Sequence, residues 1–513
     1  MRLETDVLVV GYGAAGACAA LEAAETGARV IVIDRFGGGG ATALSGGVVY
    51  AGGGTAQQIE AGIDDSPQAM FDYLATEVGD AVTPQTLRGF CDGSVDMMDW
   101  LSFQGVPFSA ALCPEKTSDP TNAHYLYYSG SEIAARDAAK PAPRGHRTHG
   151  RDTSGRVFFD RLAQAVRRKG IRVLPQTTAK RLLTDEAGRV VGVECTTLHS
   201  RAHRILSRWA AKPFLYVPKL GRLMHKPVAW LETRLSRPLT IVAAKGVILC
   251  AGGFVNNRDM LRQHAPAYRG GLPLGTPGDD GSGIALAAAA GAATTHLDRV
   301  SVWRFITPPT ALLKGILVDR AGIRIGDESR YGAAIGEAIV TRHGGWAALV
   351  VDSRVLAEAR RQLRTQTLWF QRFQMWYLLR FARVSAPTLR ELAGKAGIDP
   401  DGLITTVKSY HDTPGKAEEF VQPLEHAPFS LIDCSIRPRL AYPAPLLTLG
   451  GLAVSEETGQ VLRPDGSPID GLYAAGRTAV GICSHSYVSG LSLADCVFSG
   501  RRAGRHAAGS GGP

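Results

Sequence analysis

Near its start the chain runs Asp6-Val7-Leu8-Val9-Val10, breaks at Gly11-Tyr12-Gly13-Ala14-Ala15-Gly16, and continues through the small residues Ala17-Cys18-Ala19-Ala20. An unbroken β-branched run suits a strand buried on both faces. The small residues after it suit a helix lying close against that strand. A second run, Arg29-Val30-Ile31-Val32-Ile33, ends on Asp34. Strand, glycine turn, helix, strand and terminal acid make the βαβ unit of a parallel sheet that holds a dinucleotide. Gly11 permits the tight turn, Gly13 lets backbone approach a pyrophosphate, and Gly16 lets helix and strand pack closely. Ala14 and Ala15 open the helix, where unpaired N–H groups favour an anion. Asp34 stands where an acid accepts the ribose hydroxyls, which disfavours a 2′-phosphate.

A second glycine-dense loop follows at once, from Gly37 through Ala41, Thr42 and Ser45 to Gly46 and Gly47. An isoalloxazine ring lies against peptide groups that glycine allows to come near. The pair of loops therefore points to FAD in preference to NAD.

The C-terminal part carries matching pieces. Gly471-Leu-Tyr-Ala-Ala-Gly476-Arg477 reads as a strand entering a glycine turn, and Ser489-Gly490-Leu491-Ser492-Leu493 opens a last helix. Between the ends, 158–169 is amphipathic, 171–175 reads as a strand, and 179–184 pairs with 190–196 around Gly188. Residues 240–254 return to the sheet and turn at Ala251 and Gly252. The expected fold is α/β: a Rossmann-type FAD-binding domain made from both chain ends, 1–255 and 428–513, with an inserted α+β catalytic or capping domain at 256–427. Residues 505–513 are expected to fray.

A length of 513 residues exceeds one small domain, and 45% hydrophobic with 20% charged residues is a globular balance. The eight cysteines show no metal-ligand spacing. With no secretory signal at the start, they read as reduced thiols in a cytoplasmic protein. The net charge of +10 is concentrated in two segments. Residues 198–240 hold nine Lys/Arg against Glu232 alone, and 360–383 hold six Arg and no acid. This argues against nucleic acid as the partner. Both segments interleave basic residues with Trp, Phe and Leu, too briefly to span a bilayer. They suit either a helix lying on an anionic membrane surface or a basic face beside ordinary core or a subunit contact.

On the stretches 6–54, 146–196, 240–283, 315–336 and 446–504, the chain resembles the fumarate reductase/succinate dehydrogenase-type flavoproteins. Its most specific stretch runs from Thr448-Leu-Gly-Gly-Leu through Gly481-Ile-Cys-Ser-His-Ser-Tyr-Val-Ser-Gly-Leu-Ser-Leu-Ala-Asp495. Within that superfamily it looks most like the bacterial 3-ketosteroid dehydrogenases. No histidine precedes His124, so the covalent attachment seen in succinate dehydrogenases is not expected, and FAD would be noncovalent. Where dicarboxylate reductases carry an arginine, this chain has Tyr487, and a phenol cannot grip a carboxylate as a guanidinium does.

The resemblance implies cofactor contacts at Gly11, Gly13, Ala14, Ala15, Gly16, Asp34, Arg35, Ala41, Thr42, Ser45, Gly46, Gly47, Ala251, Gly252, Gly476, Arg477, Gly490, Leu491, Ser492 and Leu493. Tyr487-Val-Ser489, and Tyr331 following Asp327-Glu328, resemble the Δ4 enzymes more than the Δ1 enzymes. By that likeness Tyr487 and a backbone N–H near Gly490 or Leu491 would hold a ketone, Ser489 would face the α carbon, and Tyr331 would relay its proton, the last two roles being exchangeable. Tyr125 is a candidate for the substrate pocket, and His485 reads as a structural neighbour of the flavin turn. The implied partners are a steroid, and a quinone or electron-transfer protein that reoxidises the flavin. Membrane attachment would be peripheral, on the inner face. The rival readings are a Δ1-dehydrogenase and a non-catalytic flavin-binding protein that docks on membranes.

Overall fold

The structure is a computed structural model and describes residues 1–198, 226–227, 230, 234–268, 270–412, 415–437 and 442–509. The first apolar run forms β1 (Arg2–Val10), followed by α1 (Ala14–Glu25) and β2 (Val30–Asp34). β1 and β2 are parallel, with Val7 opposite Val30 and Val10 opposite Ile33. The amphipathic stretch forms α2 (Gly155–Arg168), burying Phe158, Leu162, Ala165 and Val166 at helical spacing. β3 (Arg172–Pro175) then extends the sheet beside β2. β4 (Thr177–Thr184) and β5 (Val190–Thr197) make the expected hairpin, and β5 pairs antiparallel with β6 (Arg237–Leu249).

β6 lies parallel to β1 on the side away from β2. Two later strands, β11 (Gln460–Leu462) and β12 (Pro468–Ala474), complete the sheet, β12 running parallel to β6. Strands from both ends of the chain therefore share one eight-stranded sheet among the described residues. The last helix, α6 (Leu491–Gly509), packs along α1. Glycine makes this close approach possible: a Cβ on Gly500 would stand 2.6 Å from the Ala15 carbonyl oxygen, and one on Gly504 would stand 2.4 Å from that of Ala19. α6 continues to Gly509 with Ala507 and Ala508 buried, so residues 505–509 are not frayed as expected from sequence. Their small apolar side chains dock on the α1 side of the core.

A second core gathers residues from Val255 to Leu446. Its centre is an antiparallel sheet in the order β7 (Ile316–Val318), β8 (Ala348–Val351), β10 (Phe429–Asp433), β9 (Arg383–Ala386). Around it lie α3 (Gly332–Arg342), α4 (Ser353–Gln366) and α5 (Trp369–Phe381). A small sheet of Val48–Tyr50, Gly145–Arg147 and Leu126–Tyr127 reaches towards the start of α6, where the Tyr50 amide donates to the Gly490 carbonyl at 3.1 Å. Most of the basic segment 198–240 lies outside the described residues.

Candidate active site

A cavity of about 770 Å³ runs from the first glycine turn, past the second glycine loop, to the start of α6 and the inner wall of the second core. At its N-terminal end Gly11 adopts φ +104°, and a Cβ there would meet the Cys250 carbonyl oxygen at 2.2 Å. The turn thus presses against the end of β6. Gly13 differs. Its backbone is extended, and a Cβ would make ordinary contact with Thr42 Oγ1 at 3.4 Å while standing in the cavity wall. Its missing side chain leaves room for a ligand.

The Thr42 hydroxyl accepts from the Ala14 amide at 3.0 Å and so ties the second glycine loop to the helix start. Phe159 of α2 supports that loop, with its ring beside Gly38 and Gly39 and edge-on to Tyr12 at 5.1 Å. The Asp34 carboxylate accepts from the amides of Tyr12, Phe36 and Gly38, at 2.9, 2.8 and 3.1 Å. It therefore knots the two loops together as well as lining the cavity. Arg35 pairs with Asp280 at 2.9 Å.

Arg477 pairs with buried Asp279 through Nη2, while its Nη1 is buried in the cavity wall with no protein partner. An unmade charged hydrogen bond in a buried site is costly. A phosphate or carbonyl oxygen of a bound dinucleotide would satisfy it. The glycine cradle, the helix start and the unpartnered Arg477 Nη1 together fit FAD.

The expected cofactor residues that line the cavity are Gly11, Gly13, Ala14, Ala15, Asp34, Arg35, Ala41, Thr42, Ser45, Gly46, Gly47, Ala251, Gly252, Arg477, Gly490, Ser492 and Leu493. Gly16, Gly476 and Leu491 stand behind that wall. Gly16 keeps α1 close to its own turn, a Cβ being 2.0 Å from the Gly11 carbonyl oxygen. Gly476 donates its amide to Ser499, and Leu491 is fully buried.

Tyr487, Ser489 and Tyr331 come together at the other end of the cavity. Tyr487 and Ser489 line it, whereas Val488 between them is fully buried in the core. Tyr331 immediately precedes α3, and its amide donates to Ser131 Oγ at 3.0 Å. The Tyr331 and Tyr487 ring centroids are 6.3 Å apart. Burial pushes all three local phenols up, Tyr331, Tyr487 and Tyr127, so they are held as O–H donors. The Ser489 hydroxyl and the Tyr127 phenol lie 3.4 Å apart, and the Ser489 carbonyl accepts from Ser129 Oγ at 3.0 Å.

Several residues here gave no sequence signal. Trp303 stacks on Tyr487, and Phe305 packs edge-on to Tyr331, giving the site an aromatic wall. Asp119 lines the same cavity, with Oδ2 3.4 Å from Gln371 Nε2. Burial raises its carboxyl to about 6, countered in part by the Arg147 guanidinium. Tyr125 is not a wall residue. Its hydroxyl donates to the Gly150 carbonyl, with His149 and the Arg147 guanidinium against its ring. His485 lies outside the cavity and faces Asp80 at 3.2 Å. Among the described residues the eight cysteines are free thiols, and no helix is long and apolar enough to cross a membrane.

The FAD binding domain family model matches residues 6–490. The chain is 36% identical to 3-oxo-5-alpha-steroid 4-dehydrogenase of Comamonas testosteroni over 92% of each chain. It is 27% identical to 3-oxosteroid 1-dehydrogenase of Mycobacterium tuberculosis over 94% of each. Its fold is similar to that of 3-ketosteroid-delta4-(5alpha)-dehydrogenase from Rhodococcus jostii RHA1 in complex with 4-androstene-3,17-dione, with a TM-score of 0.81 and 32% identity over 99% of this chain and 97% of that one. With a glycine cradle shaped for a dinucleotide and a family match over nearly its whole length, the chain belongs to the FAD binding domain family and is an FAD-dependent oxidoreductase.

Proposed function

We propose that this enzyme desaturates a 3-ketosteroid between C4 and C5. The observation that carries the reading is the cluster of Tyr487, Tyr331 and Ser489 beside the Gly490 turn, walled by Trp303 and Phe305. The likeness to the Comamonas testosteroni enzyme supports the same ring position.

Removing hydrogen from C4 and C5 requires the ketone to be polarised and the C4 proton to be taken. The Tyr487 phenol, kept protonated by burial, donates to the ketone oxygen together with the Gly490 amide. Ser489 faces C4, with Tyr331 and Tyr127 as the hydroxyls through which the proton leaves. The aromatic wall excludes water from that path. Bound FAD supplies the two-electron oxidant that accepts the hydride from C5. Among the described residues the cavity lining includes no histidine, which supports noncovalent attachment.

Reoxidation falls to a quinone or an electron-transfer protein, and the enzyme works peripherally on the inner face of the membrane. The residue ranges 1–255 and 428–513 serve as the two parts of the FAD domain around the capping domain 256–427, with β10 (Phe429–Asp433) contributed to the capping sheet before the chain returns.

The test is anaerobic mixing of the purified protein with saturated 3-ketosteroids of the 5α and 5β series, following flavin absorbance and the position of the new double bond. Bleaching with a 4-ene product is expected. Bleaching with 4-ene-3-ketones alone would move the assignment to 1-dehydrogenation, and no bleaching with any of them would overturn the steroid reading.

A further inference from the structure

The α5 helix is amphipathic in an unusual sense: both of its faces are apolar. Met375, Leu378 and Leu379 are buried in the second core. On the opposite side Trp369 is 71% exposed, Phe373 67%, Phe381 58% and Trp376 49%, with Tyr377 beside them. Positions 369, 373, 377 and 381 follow one another at four-residue helical spacing with 376 beside them, so these rings form a continuous stripe and not scattered exceptions. Phe373 and Trp376 touch at 6.0 Å, and Trp376 and Phe381 at 5.4 Å. Leaving such a patch in water forfeits most of the burial free energy of several aromatic side chains.

The charge around the stripe is mainly positive, although Asp152 shares a surface pocket with Arg364, Trp369 and Arg372. Arg372 and Arg380 stand on the exposed side of α5, and Arg360, Arg361 and Arg364 are exposed on α4, which packs against it. None of these five has a carboxylate partner among the described residues. Arg383, next along the chain, is held below its ordinary value by burial and then by the neighbouring Arg360 and Arg380 guanidiniums. Aromatic rings in a plane with uncompensated arginines match the interface of an anionic bilayer. There Trp and Tyr sit at headgroup depth and guanidiniums meet lipid phosphates. A second copy of the chain suits the stripe less well, because a two-fold contact through α5 would bring the same arginines face to face.

The helix also touches the cavity. Phe370 lines the cavity wall, and Gln371 reaches Asp119 inside it. Trp369 and Arg372, on either side of that pair, face outwards. One turn of α5 thus separates the active-site cavity from the outer stripe.

We propose that the exposed stripe of α5, Trp369, Phe373, Trp376, Tyr377 and Phe381 with Arg372 and Arg380, seats the enzyme on an anionic lipid surface and brings the cavity wall at Phe370 to that surface. The seating stands independently of the substrate. The further step, delivery of an apolar substrate from the lipid into the cavity, rests on the steroid reading. A sterol-like ketone dissolved in the headgroup region would reach the cavity without crossing bulk water.

The experiment is co-sedimentation of the FAD-loaded full-length protein with extruded vesicles, either phosphatidylcholine alone or with about one third phosphatidylglycerol. Binding to the anionic vesicles, weakened by added salt, is expected. The triple variant Trp369→Ser, Phe373→Ser, Trp376→Ser should lower vesicle affinity by about tenfold or more. Turnover of freely dissolved steroid should be unchanged, and turnover of steroid preloaded in vesicles should fall. The double variant Arg372→Glu, Arg380→Glu provides the same readout should the triple variant fail to fold. Wild-type protein that stays in the supernatant with both vesicle types overturns the proposal. So does a dimer in sedimentation velocity that the variants convert to monomer, which would assign the stripe to a second copy. Vesicle binding by a protein that turns over no steroid would leave the docking surface standing and remove the delivery step.

Discussion

Tyr487 stacks on Trp303 with ring centroids 4.7 Å apart and planes inclined by 28°. Trp303 in turn donates its indole N–H to Ser301 Oγ at 2.7 Å, which fixes the platform. The stack holds the phenol ring by its face, so its hydroxyl can be removed without disturbing the ring. Tyr487→Phe is therefore expected to fold, keep its FAD and lose about a hundredfold to a thousandfold in kcat, as removal of one carbonyl-polarising donor does elsewhere. Loss of bound FAD in this variant would show that the ring holds the cofactor and that the hydroxyl is not the working group.

Proton removal is a separate task. Ser489→Ala and Tyr331→Phe should each slow flavin bleaching under single-turnover conditions by about a hundredfold or more. Substrate affinity should change little. Their effects should not add in the double variant, because both groups act on one proton path. Full additivity would place the two hydroxyls in unrelated roles.

Asp119 is the cavity acid beside the tyrosine cluster, its carboxyl brought by burial from 3.8 to about 6. Its charge is also among the causes that raise the phenols of Tyr127, directly after burial, and of Tyr331, after burial and the neighbouring tyrosines. If the ionised form receives the proton, kcat/KM falls as pH drops through about 6. Asp119→Asn should remove that limb of the profile. Because its pKa is raised on folding, the native chain binds more protons than the unfolded chain between pH 3.8 and about 6. The carboxylate therefore costs stability above that window, and Asp119→Asn should raise Tm more at pH 8 than at pH 4. An unchanged activity profile would leave Asp119 a structural partner of Gln371.

Two glycines of one motif should fail differently. Gly11→Ala forces a Cβ into the Cys250 carbonyl at a positive φ, so it should lower the yield of folded protein. Gly13→Ala has the backbone and the room for a methyl, which then stands where a pyrophosphate would lie. It should fold with a near-normal Tm in the absence of cofactor and bind FAD at least about tenfold more weakly. Equal FAD content in wild type and Gly13→Ala, read from absorbance after dialysis, would remove Gly13 from the cradle.

His146 is buried between Thr55 Oγ1, 2.8 Å from Nε2, and the Arg144 carbonyl, 3.1 Å from Nδ1. Burial lowers it from 6.5 to about 4. Between those values the unfolded chain binds the proton and the native one does not, so stability is lost as pH falls from about 6.5 to about 4. The loss is on the order of 3 kcal/mol from this residue. Urea melts across that range should show it, and His146→Gln should flatten the slope.

The βαβ unit was legible because each of its parts is local: a β-branched run, three glycines at fixed spacing and an acid at the next strand end. Tyr487 and Ser489 were legible for a different reason, since they sit in a motif whose likeness extends over many neighbouring residues. Trp303, Phe305 and Asp119 were not. They stand on connecting segments far from Tyr487 in sequence and have no periodicity, and the fold alone brings them into one cavity. Tyr125 precedes the short strand Leu126–Tyr127, and the two tyrosines find different partners. Tyr127 meets Ser489, while the Tyr125 hydroxyl goes to the Gly150 carbonyl. For 360–383 the mixture of arginine and aromatic residues was visible. Which side of α5 met the core was not, because both sides are apolar.

The seam between α1 and α6 bears on how the protein is made. The glycine turn and α1 are synthesised well before residues 487–493, which complete the wall of their cavity, and the helix that clamps α1 follows directly. Until α6 has been synthesised, the nascent chain offers FAD half a site and exposes the alanine face of α1. A complete cofactor site therefore waits for the synthesis of α6, and the nascent chain depends for that interval on chaperones or on its own collapse to keep the half-built sheet from aggregating.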